Sequence, residues 1–291
     1  MASMRDIKRR KVSIQSTQQI TKAMKLVSTV RLQRAKGRAE RSQAYFKCMY
    51  KTVSSMLSKS GNLNHPFLKK GVSDQKAVIV ITSNRGLAGG FNSNIIKLVT
   101  HHENQDEWNA SKLHIYAVGT KGRDALRRHG YSIVSDRSEI IEEPMYTDAA
   151  EIAEMVLKAF TDGEVGEIYL AYTGFKNTVT HISTLMKILP VETSGQEEVD
   201  SSIESKIPMN YEPTEDEALN LIIPKYVTSL IYGGLVESVA SENGARMQAM
   251  DSATSNAEDM IGHLELQYNR ARQGSITQEL TEIIAGAEAI S

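Results

Sequence analysis

The chain begins with a long stretch in which hydrophobic residues recur at helical spacing. Between residues 4 and 59 there is no proline and only one glycine, Gly37. Good helix formers dominate. The apolar residues that mark one narrow side of this stretch are Ile7, Ile14, Ile20, Met24, Val27, Leu32 and Ala35. A narrow apolar side is typical of a helix that pairs with another helix. At 1.5 Å per residue such a helix is about 84 Å long, so it needs a partner along its length.

The C-terminal part of the chain has a second pattern of this kind. After Pro213 the sequence predicts helix almost throughout, with a kink or short break at Pro224. Three- and four-residue steps connect Ala253, Ala257, Met260, Leu264, Tyr268 and Ala271, and then Ile276, Leu280, Ile283, Ala287 and Ile290. Two long helices at opposite ends of one chain pair most simply as an antiparallel coiled coil.

A glycine interrupts the second pattern. The segment "NRARQGSITQELTEI" (269–283) permits either a helix stop at Gly274 and a new start capped by Ser275, or one continuous helix. The apolar pattern steps by five residues from Ala271 to Ile276, which shifts its register. An apolar and a polar stripe both persist past the glycine, so the pattern favours continuity. In this interpretation the apolar stripe holds the helix pair and the polar stripe faces a partner.

Between the two helices, short strands alternate with amphipathic helices. The predicted strands are 76–84, 112–119, 131–134, 167–175 and 180–191, and the predicted helices are 92–104, 121–130 and 148–160. This order indicates a small Rossmann-like open α/β sheet, closed by a hairpin of the last two strands. The predicted division is an N-terminal coiled-coil helix (1–60), a globular α/β domain (61–212) and a C-terminal coiled-coil helix (213–291).

Charge is distributed unevenly, although the whole chain has a net charge of −1. Residues 1–59 contain 15 Lys and Arg against only Asp6 and Glu40, and the remainder contains 19 against 33. Such a basic helix suits nucleic acid, an anionic membrane surface or an acidic protein. The first 44 residues contain no aromatic residue and few bulky apolar anchors. This favours a protein partner and argues against nucleic acid or membrane insertion.

Candidate chemistry is weak throughout the chain. The glycine-rich segment "SNRGLAGGFNSN" (83–94) lies between a strand and a helix, but it matches neither the P-loop nor the dinucleotide pattern. A tight packing turn is the favoured interpretation. His101 and His102 are adjacent, so a helix directs them about 100° apart. The single cysteine, Cys48, excludes an internal disulfide. The sequence therefore predicts no catalytic, cofactor or metal site.

Several motifs together carry a family resemblance. "ITKAM" (20–24), "ARMQAMDSATSNA" (245–257) and "YNRARQGSITQELTEI" (268–283) closely resemble the ends of the gamma subunit of bacterial F-type ATP synthases. The middle domain, with its "NRGLAGGFN" turn (84–92), matches the family in order and length. The resemblance covers essentially the whole chain.

The resemblance implies a central rotor shaft without an active site of its own. The shaft couples ion-driven rotation of a membrane ring to conformational changes in the catalytic beta subunits. Its partners would be the alpha and beta subunits, the epsilon subunit and the membrane c-ring. No cofactor, nucleic acid or direct membrane insertion is implied. The expected location is the cytoplasmic face of a bacterial cell membrane, as a peripheral protein.

The resemblance also implies contact residues. Those expected against the ring of alpha and beta subunits are Lys22, Met24, Lys25, Arg246, Arg272, Gln273, Thr277, Glu279 and Glu282. Tyr211 and Glu212 are expected near the c-ring and epsilon. These are contacts and not catalytic groups.

Two other classes of function compete with this interpretation. One is a nucleotide-binding α/β enzyme with coiled-coil arms, for which micromolar nucleotide binding with turnover by the isolated chain would be evidence. The other is a basic coiled-coil protein that binds nucleic acid, which tight, salt-sensitive binding to duplex DNA would favour.

Overall fold

The computed structural model describes residues 4–59, 65–102, 108–191 and 215–290. Within these ranges the helices are α1 (Met4–Lys59), α2 (Phe91–Thr100), α3 (Thr120–Arg128), α4 (Tyr146–Thr161) and α5 (Glu215–Ile290). The strands are β1 (Lys76–Ile81), β2 (Leu113–Val118), β3 (Ser132–Asp136), β4 (Glu167–Phe175) and β5 (His181–Leu189). Short 3-10 helices lie at Pro66–Leu68 and Ser138–Glu142.

The five strands form one mixed sheet in the order β3-β2-β1-β4-β5. β1 runs parallel to both β2 and β4, β3 is parallel to β2, and β5 is antiparallel to β4. The predicted Rossmann-like open sheet with a closing hairpin is confirmed. The strand order reverses beside β1, and doubly wound folds bind ligands at the carboxyl ends of the strands at such a point.

β1 lies in the middle of the sheet and is buried on both faces. On one face Ile79 and Ile81 belong to a core that includes residues of α4 and α5. On the other face Val78 and Val80 belong to a core that includes residues of α2 and α3. The continuous apolar sequence of β1 is what burial on both faces requires, because neither set of alternate side chains meets water.

Helix α5 is unbroken from Glu215 to Ile290. The continuous interpretation of the helix through Gly274 is therefore confirmed, and no break occurs at Pro224. Around the proline, Ile223 and Val227 are fully buried. Their packing offsets the roughly 3 kcal/mol that a proline costs inside a helix. Part of α5 is long and apolar enough to span a membrane, but half of that window is buried within the protein, as in a core helix.

The chain divides into two compact units. The paired-helix unit comprises the described residues of Met1–Thr29 and Arg246–Ser291, and the α/β unit comprises those of Val30–Ala245. The core of the α/β unit includes Val53 of α1 and Leu235 of α5 as well as the sheet. The division at residues 60 and 212 that the sequence suggests follows the helix ends, whereas the compact units divide within the helices. Those segment boundaries stay a prediction.

A buried ionic group lies at the start of β1 and β4. Lys76 Nζ lies 2.5 Å from Glu167 Oε2, and Lys187 Nζ lies 3.2 Å from Glu167 Oε1. The hydroxyl of Tyr169 also donates to Glu167, at 3.2 Å. Burial by itself raises the pKa of Glu167, but hydrogen bonds and charge from Lys76 and Lys187 outweigh it and hold the pKa below its ordinary value. The carboxylate is therefore ionised and paired at neutral pH.

We expect Lys76→Met to lower the free energy of unfolding by about 3 kcal/mol, because it leaves a buried carboxylate with one lysine instead of two. Urea unfolding of the full chain measures this. Lys121→Met is the matched control at an exposed lysine of the same unit, with an expected change within about 0.5 kcal/mol. Equal effects of the two substitutions would show that the buried group contributes nothing.

Candidate functional site

The paired-helix unit is held in one antiparallel register. Lys11 Nζ lies 2.6 Å from Glu265 Oε1, and Lys25 Nζ lies 2.5 Å from Asp251 Oδ1. Midway between them, the Gln18 side-chain amide donates to Glu258 at 2.9 Å. Each seven-residue advance along α1 is matched by a seven-residue step back along α5. This is the heptad geometry of a coiled coil, and the predicted antiparallel pair is confirmed.

The seam between the helices follows alternating four- and three-residue steps on both sides. Its buried or half-buried positions on α1 are Ile7, Lys11, Ile14, Gln18, Thr21, Lys25 and Ser28. On α5 they are Met250, Thr254, Ala257, Ile261, Leu264, Tyr268, Ala271 and Ser275. At its middle, the hydroxyls of Thr21 and Thr254 are 2.8 Å apart. The seam is therefore partly polar.

Part of the predicted seam is wrong. Ile20 and Val27 are more than half exposed, whereas Thr21 and Ser28 are buried in their place. On α5, Met260 lies on the exposed surface and Ile261 takes the seam position. The repeat of four- and three-residue steps from Ile7 places the polar residues Thr21 and Ser28 in the seam. Their burial is tolerable because Thr21 and Ser28 donate their hydroxyls to backbone carbonyls of the preceding turn.

The end of α5 extends beyond the seam. In the observed register, Met4 at the start of α1 falls opposite residues near Arg272. Further along, Ile276, Leu280, Ile283 and Ile284 are about half to two-thirds exposed. We call these four residues the apolar tip. The prediction that this stripe holds the helix pair together is wrong, because its side chains are substantially exposed and not buried in the seam.

The residues expected to contact the ring lie mostly on the surface of this unit. Lys22, Arg272, Gln273, Thr277, Glu279 and Glu282 are exposed, and Met24 and Lys25 are half-buried. Around Gly274 the side chains bond along their own helix. Thr277 donates to the Gln273 carbonyl at 2.9 Å, and Gln278 donates to Glu282 at 2.9 Å. These contacts leave the polar stripe ordered and facing outward.

Three predicted contact residues stand apart from this surface. Arg246 is only 8% exposed, so its side chain lies within the protein. Tyr211 and Glu212 lie outside the described residues.

α1 also carries exposed apolar side chains that the sequence did not predict to be on the surface. They are Val12, Ile20, Leu26 and Val27. The sequence does contain an indication of this exposure, because none of these residues falls on the repeat of four- and three-residue steps that starts at Ile7.

The glycine-rich segment leads from β1 toward α2 at the reversal point of the sheet. There the first three amides of α3 are already occupied. Thr120 N–H donates to Asn84 Oδ1, Lys121 N–H to the Ser83 carbonyl and Gly122 N–H to Thr82 Oγ1, at 2.9, 3.1 and 2.9 Å. A phosphate at this helix N-terminus would need those same donors. These contacts pack the start of α3 against Thr82, Ser83 and Asn84, the residues that follow β1.

The two adjacent histidines that follow α2 also have ordinary packing contacts. His102 stacks on Trp108 with ring centroids 4.3 Å apart. The ring Nδ1 of His101 lies 2.8 Å from the Thr100 hydroxyl. Within the described ranges, no group of three or more His, Cys, Asp or Glu side chains is placed to hold a metal ion.

Comparison with known proteins gives a consistent result over the full length. A model of the ATP synthase family matches residues 3–290. The ATP synthase gamma chain of Lachnoclostridium phytofermentans is 64% identical over 295 residues and is covered completely, as is this chain. The sodium ion specific ATP synthase gamma chain of Acetobacterium woodii is 41% identical over 303 residues, with 99% of each chain covered.

Solved structures show the same fold. A chain of the Euglena gracilis mitochondrial ATP synthase matches with a TM-score of 0.67 at 18% identity, covering 99% of this chain and 94% of that chain. A chain from the central stalk and c-ring of the Tetrahymena thermophila mitochondrial ATP synthase matches with a TM-score of 0.59 at 25% identity. That match covers 80% of this chain and 99% of the other.

We expect Gly119→Ala to destabilise the protein by more than about 3 kcal/mol. Gly119 has φ 108°, and a Cβ there would lie 2.0 Å from the Thr82 carbonyl oxygen. Gly130→Ala is the matched control, because Gly130 has φ 83° with open space around it. It should cost only the roughly 1–2 kcal/mol of the left-handed backbone. Equal losses in urea unfolding would mean that the reversal point is not closely packed.

Proposed function

The chain belongs to the family of ATP synthase gamma chains, and from this membership we propose how its surfaces serve as the central rotor shaft of an F-type ATP synthase. The shaft couples ion-driven rotation of the membrane ring to conformational changes in the catalytic beta subunits. It works in a complex that is peripherally associated with the membrane. We place this chain on the cytoplasmic face of a bacterial cell membrane.

The apolar tip is the observation that carries the proposed contact with the catalytic ring. Four large aliphatic side chains at the end of one helix remain substantially exposed. Contiguous exposed apolar surface marks a site of protein association, since its burial is favourable at about 25 cal/mol per Å². We propose that the alpha and beta subunits, which surround the shaft, bury the apolar tip.

The polar stripe beside the tip suits a different kind of contact. Arg272, Gln273, Thr277, Glu279 and Glu282 are exposed. Hydrogen bonds from such groups exchange readily with water, so each contributes only about 1 kcal/mol net. A rotating shaft needs contacts that form and release with successive subunits. We therefore propose that the tip keeps the shaft seated and the polar stripe makes contacts that change during rotation.

The basic residues of α1 suit an acidic partner. Lys22 is exposed, and Lys25 is half-buried beside Asp251. We propose that Lys22, Met24 and Lys25 face the acidic lever of the beta subunit. Complementary charge would guide this contact without a large desolvation cost. Arg246 is assigned to packing because its side chain is buried.

We propose that the chain itself has no active site and binds no cofactor. Support comes from the start of α3, where Thr82, Ser83 and Asn84 accept from the amides that a phosphate at that helix would require. Nucleotide chemistry then belongs to the beta subunits. Contacts of Tyr211 and Glu212 with epsilon and the c-ring are proposed on the family resemblance alone.

We expect the double substitution Leu280→Asp and Ile283→Asp to leave the stability of the isolated chain within about 0.5 kcal/mol, because both residues are exposed. The same change should lower co-purification with alpha and beta subunits, or the ATPase activity of the complex, by at least about tenfold. This lower limit is the loss of binding free energy expected when two aliphatic side chains no longer bury apolar surface against the ring.

The control for this experiment is Val72→Asp, an acidic substitution at a fully exposed valine of the α/β unit. It should change neither assembly nor ATPase activity. If the tip variant assembles and turns over as the control does, the apolar tip is not a ring contact.

We further expect Arg272→Ala combined with Gln273→Ala to lower the ATPase turnover of the assembled complex by roughly fivefold or more, the loss of about two polar contacts. His101→Ala changes a residue of the α/β unit outside the proposed contact and should have no such effect. Steady-state turnover of the three complexes provides the comparison. Equal turnover in the two variants would count against the contact assignment.

A further inference from the structure

The two edge strands of the sheet differ in their protection against further pairing. β3 forms one edge and β5 forms the other. β3 has five residues, its register with β2 shifts between Ile115 and Tyr116, and it ends at the charged Asp136. Short length, an irregular register and charge are means by which native proteins keep an edge strand from pairing with another chain. β3 is therefore a protected edge.

β5 lacks these protections from His181 to Met186. It has nine residues and no proline, and it pairs with β4 in regular register from His181 to Lys187. Its single Lys, Arg, Asp or Glu residue is Lys187, whose amine lies 3.2 Å from Glu167 Oε1. That charge is directed at β4 and is not displayed along the edge. Within the described part of the chain, no strand pairs with the outer side of β5.

Hydrogen bonds of β4 determine which backbone groups of β5 point away from the sheet. Thr173 N–H donates to Ser238 Oγ at 3.2 Å, and the Thr173 carbonyl accepts from Ser241 Oγ at 3.1 Å. These groups therefore point away from Ser183, which is opposite Thr173 in the register. In an antiparallel ladder both residues of such a pair turn their backbone groups away from each other. The N–H and C=O of Ser183 thus face the open edge, as do those of Leu185, two residues further along.

The side chains along this edge are neutral and suit another strand. Ile182 is 50% exposed, and Ser183, Thr184, Leu185 and Met186 are half-buried. Outward backbone groups on alternate residues repeat every ~6.8 Å, and an extended backbone presents matching donors and acceptors at the same repeat. Hydroxyl and β-branched side chains pair well with their own kind across strands. The edge therefore fits an extended segment without clustered charge.

We propose that β5 pairs with an extended, uncharged segment of another subunit of the ATP synthase, which adds a strand to the sheet beside residues 181–186. Strand addition of this kind takes its affinity from backbone hydrogen bonds and its selectivity from alternate side chains. Because the partner comes from the assembled complex, the pairing rests on the proposed function. It is independent of the apolar tip.

Hydrogen–deuterium exchange, resolved to single amides by mass spectrometry, tests the pairing in the full chain alone and in the assembled complex. In the isolated chain the amides of Ser183 and Leu185 should exchange rapidly, because they face solvent. In the complex their exchange should slow at least about tenfold. The amides of β3, the protected edge, are the matched control and should change less than about twofold.

Two results of this measurement would overturn the proposal. One is equally rapid exchange at Ser183 and Leu185 in the chain alone and in the complex. The other is protection that is already present in the isolated chain and increases with its concentration, since that would make a second copy of this chain the partner of β5.

Ser183→Pro tests the same edge by substitution. Proline removes an outward N–H that the sheet itself does not use, and edge strands tolerate it. The unfolding equilibrium constant in urea should therefore change less than about tenfold. Thr184→Pro is the matched comparison, because the Thr184 N–H faces β4, and it should raise that constant at least about 100-fold. Equal effects would show that the outward backbone groups are assigned wrongly.

In the complex, Ser183→Pro should return the Leu185 amide to the rapid exchange of the isolated chain. Co-purification with alpha and beta subunits should persist, because the apolar tip is unaltered. Protection of Leu185 that survives the substitution would contradict the strand pairing and leave the proposed function intact. An unaltered chain that fails to co-purify with alpha and beta subunits would instead contradict the proposed function, and the strand pairing with it.

Discussion

The antiparallel register between α1 and α5 is the constraint on which the paired-helix surface depends. Lys11, Gln18 and Lys25 meet their partners at equal seven-residue steps. Once one pair is fixed, every other position is assigned to the seam or to the surface. The same register places Met4, the first described residue of α1, opposite residues near Arg272 of α5. The seam and the apolar tip are two results of one geometry.

The polar character of the seam changes what holds the helices together. The ion pair of Lys25 with Asp251 is largely exposed, and such pairs contribute only about 0–1 kcal/mol. Apolar burial is limited to a few residues such as Ala257 and Leu264. Buried polar side chains can instead specify register at a cost in stability. The contact between the Thr21 and Thr254 hydroxyls is well placed for that role, because a shifted register would separate them.

The elements that the sequence predicted best are those in which hydrophobic pattern and burial agree. The apolar β1 and the amphipathic α4 belong to this class. For α1 the two ends, Met4 and Lys59, were predicted correctly. The seam was predicted less well because apolar residues alone do not mark it. Ile20 and Val27 are apolar, whereas the heptad passes through the polar residues next to them, Thr21 and Ser28. Burial in this seam is decided by the partner helix, which local sequence does not contain.

The α/β unit combines a strand order common in nucleotide-binding folds with close packing at the point where that order reverses. Its strand order provides the reversal point at which such ligands bind. At that point Asn84 and Thr82 occupy the amides of α3, and Gly119 allows the two segments to approach closely. The first three amides of α3 are therefore bonded to the chain's own polar groups. The same architecture hosts many unrelated functions, so the strand order by itself identifies none of them.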